Sequence, residues 1–307
     1  MLGGALLAGC SSSSPNPVDA GAPDASATDT GPGESGPGDA GSSDGGSADG
    51  GSPGGAAYTG DVTASILSAA GGTPAYDVEA ELAPTPPASP ACPGTAMGTC
   101  CFQAALTPDG GATGDGGTTS DAGASEAGAD AGAAPPNAGT ITVTDGSTTI
   151  ATIPTSSDPT LGGYGTPPNV AMWSPGDSLS ATAVGGVVHK FMGSVNAVSP
   201  FAGITPSLSS MVIVPRANQL VVSWTADAKT TGSNVSVQLA DTTGNAISCT
   251  VPDSAGTTTV PAALLGKLTA GVGDISLNRT LSTLAADDNA TVSIQSAAIA
   301  LGNASLE

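Results

Sequence analysis

One imidazole is available to this chain, His189, in the run Val187-Val188-His189-Lys190-Phe191-Met192. General-base work on a hydroxyl needs an oriented nucleophile beside the imidazole, and no nucleophile elbow between a strand and a helix accompanies it. His189 therefore reads as a strand histidine. Carboxylates are the other reactive groups. Glu79 and Glu81 alternate with Val78, Ala80 and Leu82, which puts both acids on one face of a strand at a spacing suited to acid/base or cation chemistry. The same alternation describes a solvated strand face. Asp177 follows Trp173-Ser174-Pro175-Gly176, and Asp287-Asp288 occupy a turn. Tyr164 and Trp173 bracket the Gly- and Pro-rich stretch 162–168, which reads as an exposed loop. They are the candidate ligand-binding residues, since an aromatic platform holds a sugar ring. Trp173 also fits a strand-end core position, and Trp224 shares its parity with Leu220 and Val222 and reads as buried.

Cysteine supplies the remaining chemistry. With Cys10 set aside, Cys92, Cys100, Cys101 and Cys249 allow three disulfide pairings. A bridge between the adjacent Cys100 and Cys101 needs a strained eight-membered ring. Parity separates the other two: Cys100 shares a face with Phe102, Ala104 and Leu106, and Cys249 with Ile247 and Val251. The inward pair is then Cys100 with Cys249, leaving Cys92 for Cys101. A zinc site needs paired C-x(2–4)-C knuckles, which these spacings do not provide. The sequence predicts no metal and no cofactor.

These residues sit on a β framework. Short runs with period-2 alternation recur every ten residues or so, broken by Gly, Pro, Asp or Asn. Examples are 61–66, 76–82, and the pair 140–144 and 149–153 joined through Asp145-Gly146, a hairpin signal. Further runs lie at 178–184, 187–195, 219–226, 234–240, 246–251, 274–281 and 291–299, and only 261–267 reads as helical, with Pro at its first turn. The expected fold is an all-β sandwich, immunoglobulin-like or jelly-roll-like, over residues 56–307. Trp224 resembles the buried Trp of immunoglobulin-like sandwiches, although their Cys-Trp-Cys spacing is absent.

Two segments fall outside that framework. From Ser11 to Gly55 the chain has no Lys, Arg, Leu, Ile or aromatic residue, and Asp19, Asp24, Asp29, Glu34, Asp39, Asp44 and Asp49 fall every fifth position. Such a segment buries too little apolar surface to offset an ordering cost of roughly 1–2 kcal/mol per residue. Residues 10–55 therefore read as a disordered tether, with a coil span of about 37 Å. Calcium-binding Gly/Asp repeats need an inward apolar residue in each unit, which is missing here. Residues 107–138 have the same composition and read as a disordered insertion within the sandwich, a tolerable feature because loop closure grows slowly with length.

The first ten residues run from an apolar stretch into Leu7-Ala8-Gly9-Cys10, then Ser11-Ser12-Ser13-Ser14. This box resembles the signal of bacterial lipoproteins, which implies that residues 1–9 are removed and that Cys10 becomes an acylated N-terminus. The stretch lacks a basic n-region and is short for a secretory signal, so an upstream start is expected. Ser11 in place of Asp resembles the outer-membrane sorting class. With its tether, its Cys-Cys-Phe segment and its Trp-Ser-Pro-Gly-Asp stretch, the chain is similar to envelope lipoproteins of myxobacterial type.

The whole chain carries 26 acidic and 5 basic side chains, a formal charge of -21. That balance argues against nucleic acid, whose phosphates demand clustered Lys and Arg. The expected partners are a membrane, through the lipid anchor, and a glycan or envelope protein. The sequence reading is a non-catalytic, lipid-anchored outer-membrane protein displaying a β-sandwich. Its alternative is a secreted hydrolase, acting for example on glycans, that uses Glu79, Glu81 or Asp177.

Overall fold

The structure is a computed structural model and describes residues 58–69, 73–84, 92–105, 136–157, 163–287 and 290–307. Cys10, the tether, Asp288 and most of the 107–138 insertion lie outside these residues. The described chain resumes at Pro136, ahead of the expected end of the insertion, and Ala138 is fully buried.

The described chain is all-β. It contains β1 (Tyr58–Ala69), β2 (Ala75–Pro84), β3 (Thr95–Met97), β4 (Cys100–Gln103), β5 (Ile141–Asp145), β6 (Thr148–Ile153), β7 (Ser178–Ala183) and β8 (Met192–Asn196). There follow β9 (Val212–Val214), β10 (Leu220–Ser223), β11 (Asn234–Asp241), β12 (Ala246–Pro252), β13 (Thr257–Val260), β14 (Gly271–Asp287) and β15 (Ala290–Leu306). One helical turn, α1 (Ala262–Leu265), begins after Pro261, and a 3-10 turn covers Asp253–Ala255.

Nine strands form one sheet in the order β2-β1-β15-β14-β11-β12-β4-β3, with β9 added beside β15. A second sheet runs β6-β5-β7-β8, and β10 pairs with β13. The expected hairpin at Asp145-Gly146 is β5–β6, with Gly146 at φ 55°, a left-handed value that glycine adopts without cost. Both β14 and β15 run 17 residues, well beyond the stretches at 274–281 and 291–299 that alternation marks out.

That length builds two cores on one sheet. Every even-numbered residue of β15 from Ala290 to Ala300 is buried, and so are Ala304 and Leu306. One face of the strand therefore points inward along its whole length. Ala290, Val292 and Ile294 join Val62, Ile66, Val78 and Leu82 under the four-stranded sheet. Ala300, Ala304 and Leu306 join Val235, Leu239, Ile247 and Leu277 under β10, β13 and α1. The result is two sandwich-like lobes side by side, sharing the inner face of the long sheet.

One strand expectation is corrected. The run 187–195 is a strand only from Met192, because Gly185 and Gly186 turn the chain and the Gly186 N–H donates to the Val188 carbonyl at 2.8 Å. Val188 is buried while Val187, His189 and Lys190 are exposed, so His189 sits on a loop and not on a strand.

Candidate functional site

The residues expected to bind a ligand do not form a surface. Tyr164 and Trp173 are only 3% and 4% exposed. Tyr164 makes an isolated bridge to Thr155, and its hydroxyl oxygen accepts from the Ala138 N–H at 2.7 Å. Burial raises its pKa, with the Ala138 bond acting in the opposite direction. Trp173 meets the Tyr76 ring edge-on at 4.8 Å between centroids. The expected exposed aromatic platform is therefore corrected to a core feature. A Gly/Pro-rich loop can still turn a large ring inward when it has apolar neighbours to cover it, as Tyr164 and Trp173 do here.

The candidate carboxylates fall into two groups, one on β2 and one at the β5–β7 end of the four-stranded sheet. On β2, Asp77, Glu79 and Glu81 point away from the core. Asp61 on the adjacent β1 lies directly opposite Glu81, and Thr63 opposite Glu79. Gln295 Nε2 donates to Asp61 Oδ1 at 2.7 Å. Partial burial, then the charges of Asp77, Glu81 and Asp61, raise the Glu79 pKa. This arrangement favours protons or cations over further anions. The second group is Asp145 with Asp177. Asp177 Oδ2 accepts from the Ser174 N–H at 2.6 Å. The Asp145 pKa is raised by partial desolvation and by the neighbouring Asp177, to which it hydrogen-bonds. Glu79 and Glu81 occur on the open face of a sheet edge, while two depressions among the described residues are lined by Val184, Gly185, Gly186, His189 and Lys190, and by a seam around Phe201, Leu208 and Leu301. The predicted hydrolase residues are thus divided between β2 and the β5–β7 end of the other sheet.

The densest polar constellation is one that sequence reasoning passed over. Arg279 follows Ile275 and Leu277 on the inward parity of β14 and is 1% exposed. Its Nη2 pairs with Asp253 Oδ1 at 2.9 Å and donates to the Thr225 carbonyl at 2.7 Å, while Nη1 donates to the Ser199 carbonyl at 2.8 Å. Its guanidinium stacks 4.5 Å from the Phe201 centroid. Asp253 also accepts from Trp224 Nε1 at 2.8 Å and from the Asp227 N–H at 2.7 Å. Asp227 in turn accepts from the Ser199 N–H and hydroxyl at 2.8 and 2.7 Å and from the Thr230 hydroxyl at 2.7 Å. Burial alone would raise the Asp227 pKa, but these bonds and the Lys229 N–H outweigh it and lower it to about 2. The signal was available: a lone charge on the apolar face of a strand must find a partner.

No protein-family model matches the chain, and no curated protein matches it. Among solved structures, it is similar to the fibronectin(III)-like modules of CbhA from Clostridium thermocellum at 16% identity, covering 54% of this chain and 79% of that one, with a TM-score of 0.17. The β-sandwich assignment rests on the strand pairing and the cores described above.

The structure contains Cys92–Cys101 and Cys100–Cys249, the pairing that parity gives. Cys100 and Cys249 are directly opposite in the β4–β12 ladder and both face the second core. Among the described residues, no group of three or more His, Cys, Asp or Glu is placed to hold a metal ion.

Proposed function

We propose that this chain is a lipid-anchored outer-membrane protein that displays its β-sandwich body for a binding or structural role without catalysis. The observation that carries this reading is the pair of disulfides, since such bonds persist in oxidising compartments and are rare where glutathione and thioredoxin keep thiols reduced. An exported body and the Leu7-Ala8-Gly9-Cys10 box are mutually consistent. Acylation of Cys10 with more than one chain would supply the two signals that stable anchoring requires. The partners of this reading are the membrane, through the anchor, and a glycan or envelope protein on the body. Nucleic acid is disfavoured by the charge of -21.

The test is fractionation with intact-mass analysis of the wild type and Cys10→Ala. Acylated wild type in the membrane and soluble, unmodified Cys10→Ala support the reading. A Cys10→Ala protein that stays in the membrane with unshifted mass overturns it. One observation favours the hydrolase alternative, namely the raised Glu79 pKa among three other carboxylates, because a general acid needs such a shift. Turnover on a glycan panel that Glu79→Gln and Glu81→Gln both abolish would select that alternative. A glycan array on the purified protein tests the binding version.

A further inference from the structure

Among the described residues, only one face of the long sheet is covered, by the elements that close the two cores. On the other, alternate residues of β15, β14, β11 and β12 point outward, among them Ser236, Gln238, Ser248, Ser276 and Asn278, all partly exposed. Aliphatic side chains flank them where β9 joins. Met211, Ile213, Val272 and Leu301 are 55%, 64%, 59% and 41% exposed. Register places Ile213 and Val272 on either side of Ser305, and Leu301 beside Ser276. Within the outward positions of these strands Asp274 is the one charge. Toward the other end of the same face lie Asp61, Asp77, Glu79 and Glu81.

We infer that this half of the open face, with Asp274 as its one charge, is where a second copy of the chain docks, forming a two-fold dimer by sheet-on-sheet packing. Three arguments choose this occupant. A two-fold interface must be complementary to itself, and Ser, Thr, Asn and Gln both donate and accept, so a patch of them can bond to its own copy. The face offers a charged partner almost nothing to recognise, yet it is the part of a strongly acidic molecule that meets a copy of itself with least repulsion. The area suffices as well. Four strands spaced about 4.8 Å apart and roughly eight residues long, with the three residues of β9 beside them, present about 550 Å² per protomer, or about 1,100 Å² for the pair, just above the roughly 1,000 Å² that a specific interface needs. The four carboxylates of β1 and β2 confine the contact to the other half, since juxtaposed acids would repel.

The inference stands independently of the lipid anchor. Its test is sedimentation velocity on the full chain carrying Cys10→Ala, so that no acyl group can drive association. A reversible dimer with a micromolar dissociation constant is expected. Val272→Asp and Ser276→Asp should each weaken it by about tenfold or more. Ser276→Thr, which keeps the hydroxyl, and Glu79→Gln, in the acidic half, should leave it intact. Unchanged far-UV circular dichroism and non-reducing disulfide maps establish that the Asp variants are folded. A protein that stays monomeric to its solubility limit overturns the inference, as does a dimer that folded Val272→Asp and Ser276→Asp both preserve.

Discussion

At the scale of single residues, the buried ion pair between Arg279 and Asp253 is where stability is most exposed to substitution. Two ions taken out of water repay their desolvation only with good geometry and further hydrogen bonds to their remaining donors and acceptors. Here the two Nη atoms reach three carbonyls in addition to Asp253, while Nε is buried without a partner, and Asp253 takes Trp224 and the Asp227 backbone as well. Removing one partner strands the other, so Arg279→Met should cost about 3–5 kcal/mol in urea unfolding. The double variant Arg279→Met with Asp253→Asn should cost less than the sum of the two singles, the mark of direct coupling.

Titration at this scale carries two signs. Hydrogen bonds depress Asp227 to about 2, and they hold Asp241 well below the ordinary carboxylate range through the Thr269 and Thr243 N–H groups and the Thr243 and Asn245 side chains. A depressed folded pKa contributes stability that is present above the unfolded value, so both contributions are lost as pH falls below about 4, that of Asp227 through about 2 and that of Asp241 lower still. Glu79 has the opposite sign. Its folded pKa is raised, so its ionisation costs stability as pH rises through the ordinary value. Glu79→Gln should therefore raise the unfolding midpoint at neutral pH and leave it unchanged in strong acid, which a pH series of urea titrations checks.

At the scale of elements, the two disulfides do unequal work. Cys92–Cys101 closes a separation of 9 residues within one edge of the sheet, whereas Cys100–Cys249 spans 149 and joins β4 to β12. By the chain-entropy relation the first is worth about 2.5 kcal/mol and the second about 5 kcal/mol. Replacing Cys100 and Cys249 together by Ala should lower stability about twice as much as replacing Cys92 and Cys101, as read by denaturant midpoints. Strand parity alone was enough to assign these pairs, because a residue's face follows from its position in an alternating run. Parity was also enough for Trp224, buried with Leu220 and Val222. It failed where the backbone left the strand: at 187–191 a turn places His189 on a loop, and at Tyr164 a Gly/Pro loop folds inward onto Ala138. Nor could alternation show how far β14 and β15 continue, since small residues such as Ala285, Ala298 and Ala300 carry little hydrophobic signal yet pack fully in the strand. The candidate site was less legible than the fold. A carboxylate's neighbours across a ladder depend on register, so Asp61 opposite Glu81, and Asp145 beside Asp177, emerge only when the strands are paired.

At the scale of the whole molecule, the question is whether two cores on one sheet unfold as one. The ends of β14 and β15 belong to different lobes: Ala285 and Ile294 pack in the first core, Leu277 and Ala304 in the second. Unfolding either lobe alone would leave half of both strands without a covering layer while the other half stayed hydrogen-bonded. Between the cores, Arg279 ties the strand to the 199–225 crossover segment through the Ser199 and Thr225 carbonyls, and Ser296 accepts from the Val198 N–H at 3.1 Å. Both connections must break before the lobes can part. The chain carries its own probes, since its two tryptophans divide between the lobes, Trp173 in the first core and Trp224 in the second. Trp173→Phe leaves fluorescence reporting the second core, and Trp224→Phe leaves it reporting the first. Within each variant, the fluorescence midpoint should coincide with the far-UV circular dichroism midpoint, because a single cooperative transition moves all probes together. Ile153→Ala, a cavity confined to the first core, should cost about 2–5 kcal/mol and shift the Trp224 signal as fully as the dichroism. A Trp224 midpoint that Ile153→Ala leaves unmoved would mean that the lobes are separate folding units and that the long hairpin connects them without coupling them.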